Sequence, residues 1–171
     1  GGGNGTGYNF TEIPLVSTGG SVFEDLNNSG TRDTAEPGIA GVRVVLTGTN
    51  VGGTAVNLTS TTDSLGTYAF TNLQPSANYT ITEGTVPAPF LDGREQNGTP
   101  AAANTSTNDV FAGIDLTATT VASGGFNFGE VRPASVAGVV YVDLSNDGTQ
   151  QANESGIANT RITLSGTDDL G

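Results

Sequence analysis

The sequence contains no cysteine, no histidine and no lysine. Each absence removes a class of chemistry. Without cysteine there is no disulfide and no thiolate, either as nucleophile or as metal ligand. Without histidine the Ser-His-Asp and Cys-His systems are excluded, and so are the usual zinc ligands. Without lysine there is no Schiff-base chemistry. All five cations are arginines: Arg32, Arg43, Arg94, Arg132 and Arg161. No apolar run approaches the ~18 residues that mark a membrane-spanning helix. The opening GGGNGTG carries no signal-peptide pattern.

What is present is acid, glycine, threonine and asparagine. Seventeen acidic residues against five basic ones give a formal charge of −12. That charge disfavours nucleic-acid phosphates and suits hard divalent cations, which take oxygen ligands and offset carboxylate repulsion. Glycine and threonine each occur 26 times and asparagine 15 times. Threonine and valine without a helical apolar period argue for strands. The 171 residues are enough for one sandwich domain with additional pieces at its ends.

The most informative short stretch is DLNNSGTRDTAE, residues 25–36. Oxygen-bearing side chains stand two apart, a glycine allows a sharp turn, and a glutamate follows six residues after the glycine. This is the pattern D-x-[DNS]-x-[DNS]-G-x5-E of a twelve-position calcium loop. The same pattern recurs as DLSNDGTQQANE over residues 143–154, with Asp147 where the first loop has Ser29. The bland reading is a pair of Asx turns. Two matches at one repeat phase in an acidic chain favour calcium (Ca2+) over it.

The two loops belong to a longer internal repeat. Residues 7–50 align with residues 125–168 without a gap, at an offset of 118, with 20 of 44 positions identical. One complete unit over residues 18–132 is therefore expected. Residues 1–17 read as the closing strand of a preceding unit (YNFTEI) plus a linker. Residues 133–171 read as the opening strands and calcium loop of a following unit. On this reading the sequence is a window on a longer array.

Within the complete unit, short alternating segments separated by polar turns predict an all-β fold, an antiparallel Ig-like or prealbumin-like β-sandwich in tandem repeat. The expected strands are GSVFED, GVRVVLTGT, AVNLTSTT, TYAFTNL, NYTITE, DVFAGIDLT and GGFNFGEV. Val42, Val44 and Leu46 should face inward, as should Tyr68 with Phe70 and Tyr79 with Ile81. Residues 84–108 read as a long loop.

Three stretches together resemble the B-type repeats of serine-aspartate-repeat (Sdr) surface proteins, the SdrD-type B-repeat. VFEDLNNSGTRDTAEPGIAGVRVVLTG and VYVDLSNDGTQQANESGIANTRITLSG are similar to the opening of such a repeat. TDSLGTYAFTNLQPSANYTITE is similar to its central hairpin, and FLDGREQNG, NDVFAGIDLT and GGFNFGEV, in that order, to its closing segment. The resemblance covers nearly the whole chain. It implies a Cna-B or prealbumin-like sandwich serving as a calcium-rigidified spacer in a secreted or cell-surface protein.

Carried onto this sequence, the resemblance implies side-chain ligands at Asp25, Asn27 and Ser29, a backbone carbonyl at Thr31, Asp33 directly or through water, and a bidentate Glu36. In the second loop it implies Asp143, Ser145, Asp147, the Thr149 carbonyl and Glu154, with Gln151 at the position where water often mediates. Ser29 removes a charge and should weaken the first site. Related Cna-B domains often carry a Lys–Asn or Lys–Asp crosslink, which this lysine-free chain cannot form.

Other acids are weighed as further ligands: Asp63, Asp92, Glu95, Asp109 and Asp115. A hairpin turn is the preferred reading of Asp63, and a local ion pair with Arg94 the simple one for Asp92 and Glu95. No pair of carboxylates comes with signs of a substrate cleft, so no catalytic residue is assigned and the chain reads as non-enzymatic. Eight N-x-[ST] sequons fit an Asn/Thr-rich strand composition.

The expected partners are calcium and neighbouring repeat units, without nucleic acid and without membrane insertion. Two rival functions remain. An adhesive module gripping a surface ligand would expose an apolar patch, with Phe90 and Leu91 the candidates. A self-assembling filament subunit would join like chains in a fibre.

Overall fold

Alternation of inward apolar and outward polar side chains builds eight strands among the described residues of the computed structural model, which are 7, 12–103, 105, 107–117 and 123–167. The chain divides into two units, Gly1–Pro133 and Ala134–Gly171, and each is described by itself.

The first unit holds β1 (Val16–Glu24), β2 (Arg43–Thr49), β3 (Ala55–Thr61), β4 (Thr67–Leu73), β5 (Tyr79–Glu83), β6 (Leu91–Gln96), β7 (Val110–Ile114) and β8 (Asn127–Val131). They form two four-stranded sheets in the orders β4-β1-β8-β6 and β3-β2-β5-β7. All pairings are antiparallel except one: Val22, Phe23 and Glu24 of β1 run parallel to Phe128, Gly129 and Glu130 of β8. The first half of β1 pairs antiparallel with β4 instead. The first and last strands of the unit thus lie side by side.

The core lies between the sheets. Val42, Val44 and Leu46 are fully buried, as are Tyr79 and Ile81, with Tyr68 and Phe70 nearly so. These are the inward positions expected from alternation. Phe111 stands 5.3 Å from Phe126 and 4.8 Å from Phe128, ring centre to ring centre, at tilted angles that favour aromatic contact across the two sheets. Tyr68 donates its phenol to the Phe126 carbonyl at 2.6 Å, which satisfies the polar end of a buried ring.

Two expectations change, and a third falls mostly outside the described residues. Residues 84–108 are not one long loop, because Leu91–Gln96 pairs with β8 as an edge strand. An edge strand buries little side-chain area, so its polar composition hides its backbone pairing. β1 begins at Val16, inside the stretch expected to be linker. The strand expected at YNFTEI falls mostly outside the described residues, and Glu12 and Ile13 are not in a strand.

The second unit contains a single bridge, Tyr141 with Gly156, and no strand among its described residues. The opening strands expected there are therefore not formed. Val136, Val139, Ile162 and Leu164 are exposed. Their counterparts in the first unit, Thr18, Ser21, Val44 and Leu46, are buried.

Candidate metal centre

In the first loop the residues named by the calcium pattern converge. Asp25 is nearly buried, anchored where β1 leaves the sheet, and its amide donates to the Glu130 carbonyl at 2.7 Å. Its Oδ1 accepts from the Ser29 amide at 3.0 Å and its Oδ2 from the Gly30 amide at 2.6 Å. Asn27 Oδ1 accepts from the same Ser29 amide at 3.0 Å, while its Nδ2 donates to Asp33 Oδ2 at 3.1 Å. The Ser29 hydroxyl donates to the Thr31 carbonyl at 3.1 Å. Glu36, buried like Asp25, turns both carboxylate oxygens back into the loop: Oε1 accepts from Leu26 at 3.0 Å and Oε2 from Asp33 at 2.7 Å.

The turn is made by Asn28 (φ 50°) and Gly30 (φ 75°), both left-handed, a region glycine and asparagine tolerate. Arg32 braces the outside, donating to the carbonyls of Glu36 at 3.3 Å and Leu65 at 3.1 Å.

The second loop repeats this geometry. Glu154 Oε1 accepts from Leu144 at 2.7 Å and Oε2 from Gln151 at 3.0 Å. Asp143 Oδ2 accepts from Gly148 at 2.9 Å. Ser145 donates to Asp143 and to Gln151, and Gln151 Nε2 donates to Asp147 at 2.7 Å. The Thr149 amide donates to Asp147 at 2.8 Å. Asn146 and Gly148 take the same left-handed turn as Asn28 and Gly30. The backbone N–H of Gly148 holds the Asp143 carboxyl below its ordinary range, and those of Thr149 and Gln151 do the same for Asp147 and Glu154. The twelve residues therefore adopt this ring from their own sequence, even in a unit whose described residues form no strand.

The donor set of each ring is all oxygen and partly charged, which fits a hard cation such as calcium. Neither ring brings three carboxylates together. Among the described residues the acid triads whose oxygens lie within 4.8 Å of one another are elsewhere: Glu83, Asp109 and Glu130, and Asp92, Glu95 and Asp109. Sequence reading raised Asp92, Glu95 and Asp109 but missed Glu83 and Glu130. A signal existed. Each glutamate continues the inward phase of its strand, after Tyr79 and Ile81 in one sheet and after Phe126 and Phe128 in the other.

The remaining acids behave as turns. Asp63 Oδ1 accepts from the amides of Leu65 and Thr67, and Asp115 Oδ1 from the amide and hydroxyl of Thr117. Glu24 is bound at both oxygens by Arg132, whose guanidinium also lies 4.8 Å from the Phe90 ring centre. Phe90, expected in an exposed patch, instead packs on the core, and only Leu91 is exposed.

Comparison with known proteins agrees with the motif order. The model of the SdrD B-like domain matches residues 16–128. "Serine-aspartate repeat-containing protein E" of Staphylococcus aureus is 34% identical over 164 residues, 91% of this chain and 13% of the relative. "Bone sialoprotein-binding protein" of the same species matches at the same identity and coverage. The chain thus spans about an eighth of these relatives. Among solved structures, the plantain pollen allergen Pla l 1 matches with TM-score 0.47 and 14% identity, covering 73% of this chain and 99% of its own. The pilin SpaD of Corynebacterium diphtheriae matches with TM-score 0.42 and 14% identity, over 70% of this chain and 32% of its own.

Proposed function

The chain belongs to the SdrD B-like domain family, and from that premise we propose that it is a structural spacer of an extracellular, cell-surface repeat protein, stiffened by calcium at residues 25–36 and 143–154. The observation that supports the reading is the recurrence of one loop conformation, with the same hydrogen bonds from backbone amides to its closing glutamate, at the same phase of two repeats. The role is mechanical and uses no catalytic residue.

Without calcium the clustered oxygens of each loop are held only by backbone and side-chain hydrogen bonds, several of them exposed. With calcium the loop closes on an ion, and the segment leaving β1 is pinned. Each loop follows a proline-bearing stretch, with Pro14 before β1 and Pro133 after β8, so pinning it limits bending between units. A dissociation constant of ~10 µM would give about 3 kcal/mol of stabilisation at millimolar calcium.

Small-angle scattering of the chain in EGTA and in calcium tests this role. Calcium is expected to narrow the distribution of interatomic distances and lengthen the particle. Identical profiles in both conditions, with calcium bound, contradict a stiffening role. The adhesive alternative loses its expected patch, since Phe90 is part of the core surface. The filament alternative would show as concentration-dependent scattering from the same samples.

A further inference from the structure

Four strands of the sandwich lie at sheet edges: β3 and β7 in one sheet, β4 and β6 in the other. An edge offers unpaired backbone groups to any extended chain, and folded proteins block it with charge, proline, bulges or cover. Three of these edges are blocked. β6 carries Asp92, Arg94 and Glu95 and a register shift between Asp92 and Glu95. β7 turns at Gly113 (φ 71°), whose carbonyl accepts from the Ala103 amide at 3.3 Å. β4 is interrupted by Asn72 at φ 58°.

β3 has none of these devices. Ala55–Thr61 contains no charge and no proline, and it pairs with β2 from end to end without a shift. The Thr62 amide donates to the Val42 carbonyl at 2.9 Å and the Asn50 amide to the Thr54 carbonyl at 2.9 Å, which fixes the phase of the ladder between them. Bonding direction alternates along an antiparallel pair. Val56, Leu58 and Ser60 therefore bond to β2, while Ala55, Asn57, Thr59 and Thr61 direct their N–H and C=O groups out of the sheet. Among the described residues, no backbone bond outside the sheets reaches these four.

Leu58 is the second observation. It stands opposite the fully buried Leu46 and so has the inward phase, yet it is 42% exposed. An open groove lined by Val56, Leu58, Asn72, Leu73 and Tyr79 lies beside it. The sheet ends one strand short of covering its own inward side chains.

We propose that two copies of this chain pair antiparallel along β3, about a two-fold axis at Leu58, joining two four-stranded sheets into one. That register sets Ala55 opposite Thr61 of the second copy and Asn57 opposite Thr59. All four outward residues of each copy are then paired, through about eight backbone hydrogen bonds. Any other register leaves outward residues unpaired. Leu58 meets its own copy in a non-hydrogen-bonded pair, where side chains lie closest, and the two leucines cover each other over the grooves. Charge favours the same partner. A net charge of −12 repels copies over most approaches, and this edge carries no acid. A two-fold contact closes on itself, so the pair does not grow into a fibre. The inference rests on neither calcium nor the spacer role.

Sedimentation equilibrium of the chain up to about 1 mM, the weak end of specific association, tests it. The mass is expected to rise from one chain to two and stop there, and added salt should strengthen the pair by screening repulsion. Leu58→Lys sets two like charges opposite each other, and Thr59→Pro removes an outward donor at a position where an edge strand tolerates proline. Both should stay monomeric, with thermal unfolding showing that they are folded. A milder variant uses the absence of cysteine. Leu58→Cys should form an interchain disulfide on oxidation, because its Cα would lie ~4.5 Å from its copy. Thr61→Cys, six rows of register from its copy at roughly 20 Å, should not. A chain that stays monomeric throughout overturns the proposal. So does growth beyond two chains, association that both edge variants retain, or crosslinking by Thr61→Cys as readily as by Leu58→Cys.

Discussion

The amide of Asp25 donates to the carbonyl of Glu130 at 2.7 Å. That bond joins the first residue of the calcium-pattern loop to the strand carrying the most deeply buried acid of the core. It exists because β1 and β8 run parallel, with Glu24 opposite Glu130. The start and the end of the unit are therefore fastened at the point where the loop departs. Anything that orders the loop also orders the closing strand.

Tyr68→Phe should lower stability by about 1–2 kcal/mol. The substitution leaves the Phe126 carbonyl buried without its donor, while the ring stays in place against Phe70 and Phe128. Urea unfolding of the two proteins, at unchanged slope, measures the difference.

Repeat-related glycines should respond in opposite ways. A Cβ on Gly20 would sit 1.8 Å from the Phe126 carbonyl oxygen, whereas one on its counterpart Gly138 meets nothing within 4 Å. Gly20→Ala is expected to cost more than ~2 kcal/mol through forced backbone movement. Gly138→Ala should be silent. Thermal unfolding of both variants decides.

Arg132 and Glu24 should act as a unit. Arg132 binds both Glu24 oxygens and stacks on Phe90, so it fastens the residue after β8 to the last residue of β1. Arg132→Ala and Glu24→Gln should each lower the unfolding midpoint, and the double variant should fall short of their sum. Arg132→Lys should not restore the midpoint, because an ammonium cannot make the two-pronged contact. Added salt should weaken the effect, since the guanidinium is largely exposed.

Much of this architecture was legible in the sequence, for reasons visible in single strands. Val42, Val44 and Leu46 alternate with the less buried Arg43, Val45 and Thr47 because this stretch has one buried face, and the same holds for Tyr79 and Ile81 in β5. The loop rings were legible because their conformation is local: residues 143–154 form one without a sheet around them. β6 was not legible, since an edge strand of Leu91–Gln96 carries no apolar alternation and its pairing is written in β8. The parallel contact of β1 with β8 joins residues over a hundred positions apart, and no local pattern reports it. Glu83 and Glu130 were hidden because an acid at an inward position reads as the end of a strand rather than as its deepest side chain.

Thermal unfolding of the chain in EGTA and across a calcium titration, with magnesium as control, tests the central claim most directly. A calcium-specific rise in the midpoint is expected, corresponding to about 3 kcal/mol at millimolar calcium for a ~10 µM site. It should be substantially reduced in Asp25→Ala with Glu36→Ala. A midpoint that calcium does not move, in a chain fully folded without it, would contradict the claim and leave both rings as hydrogen-bonded turns.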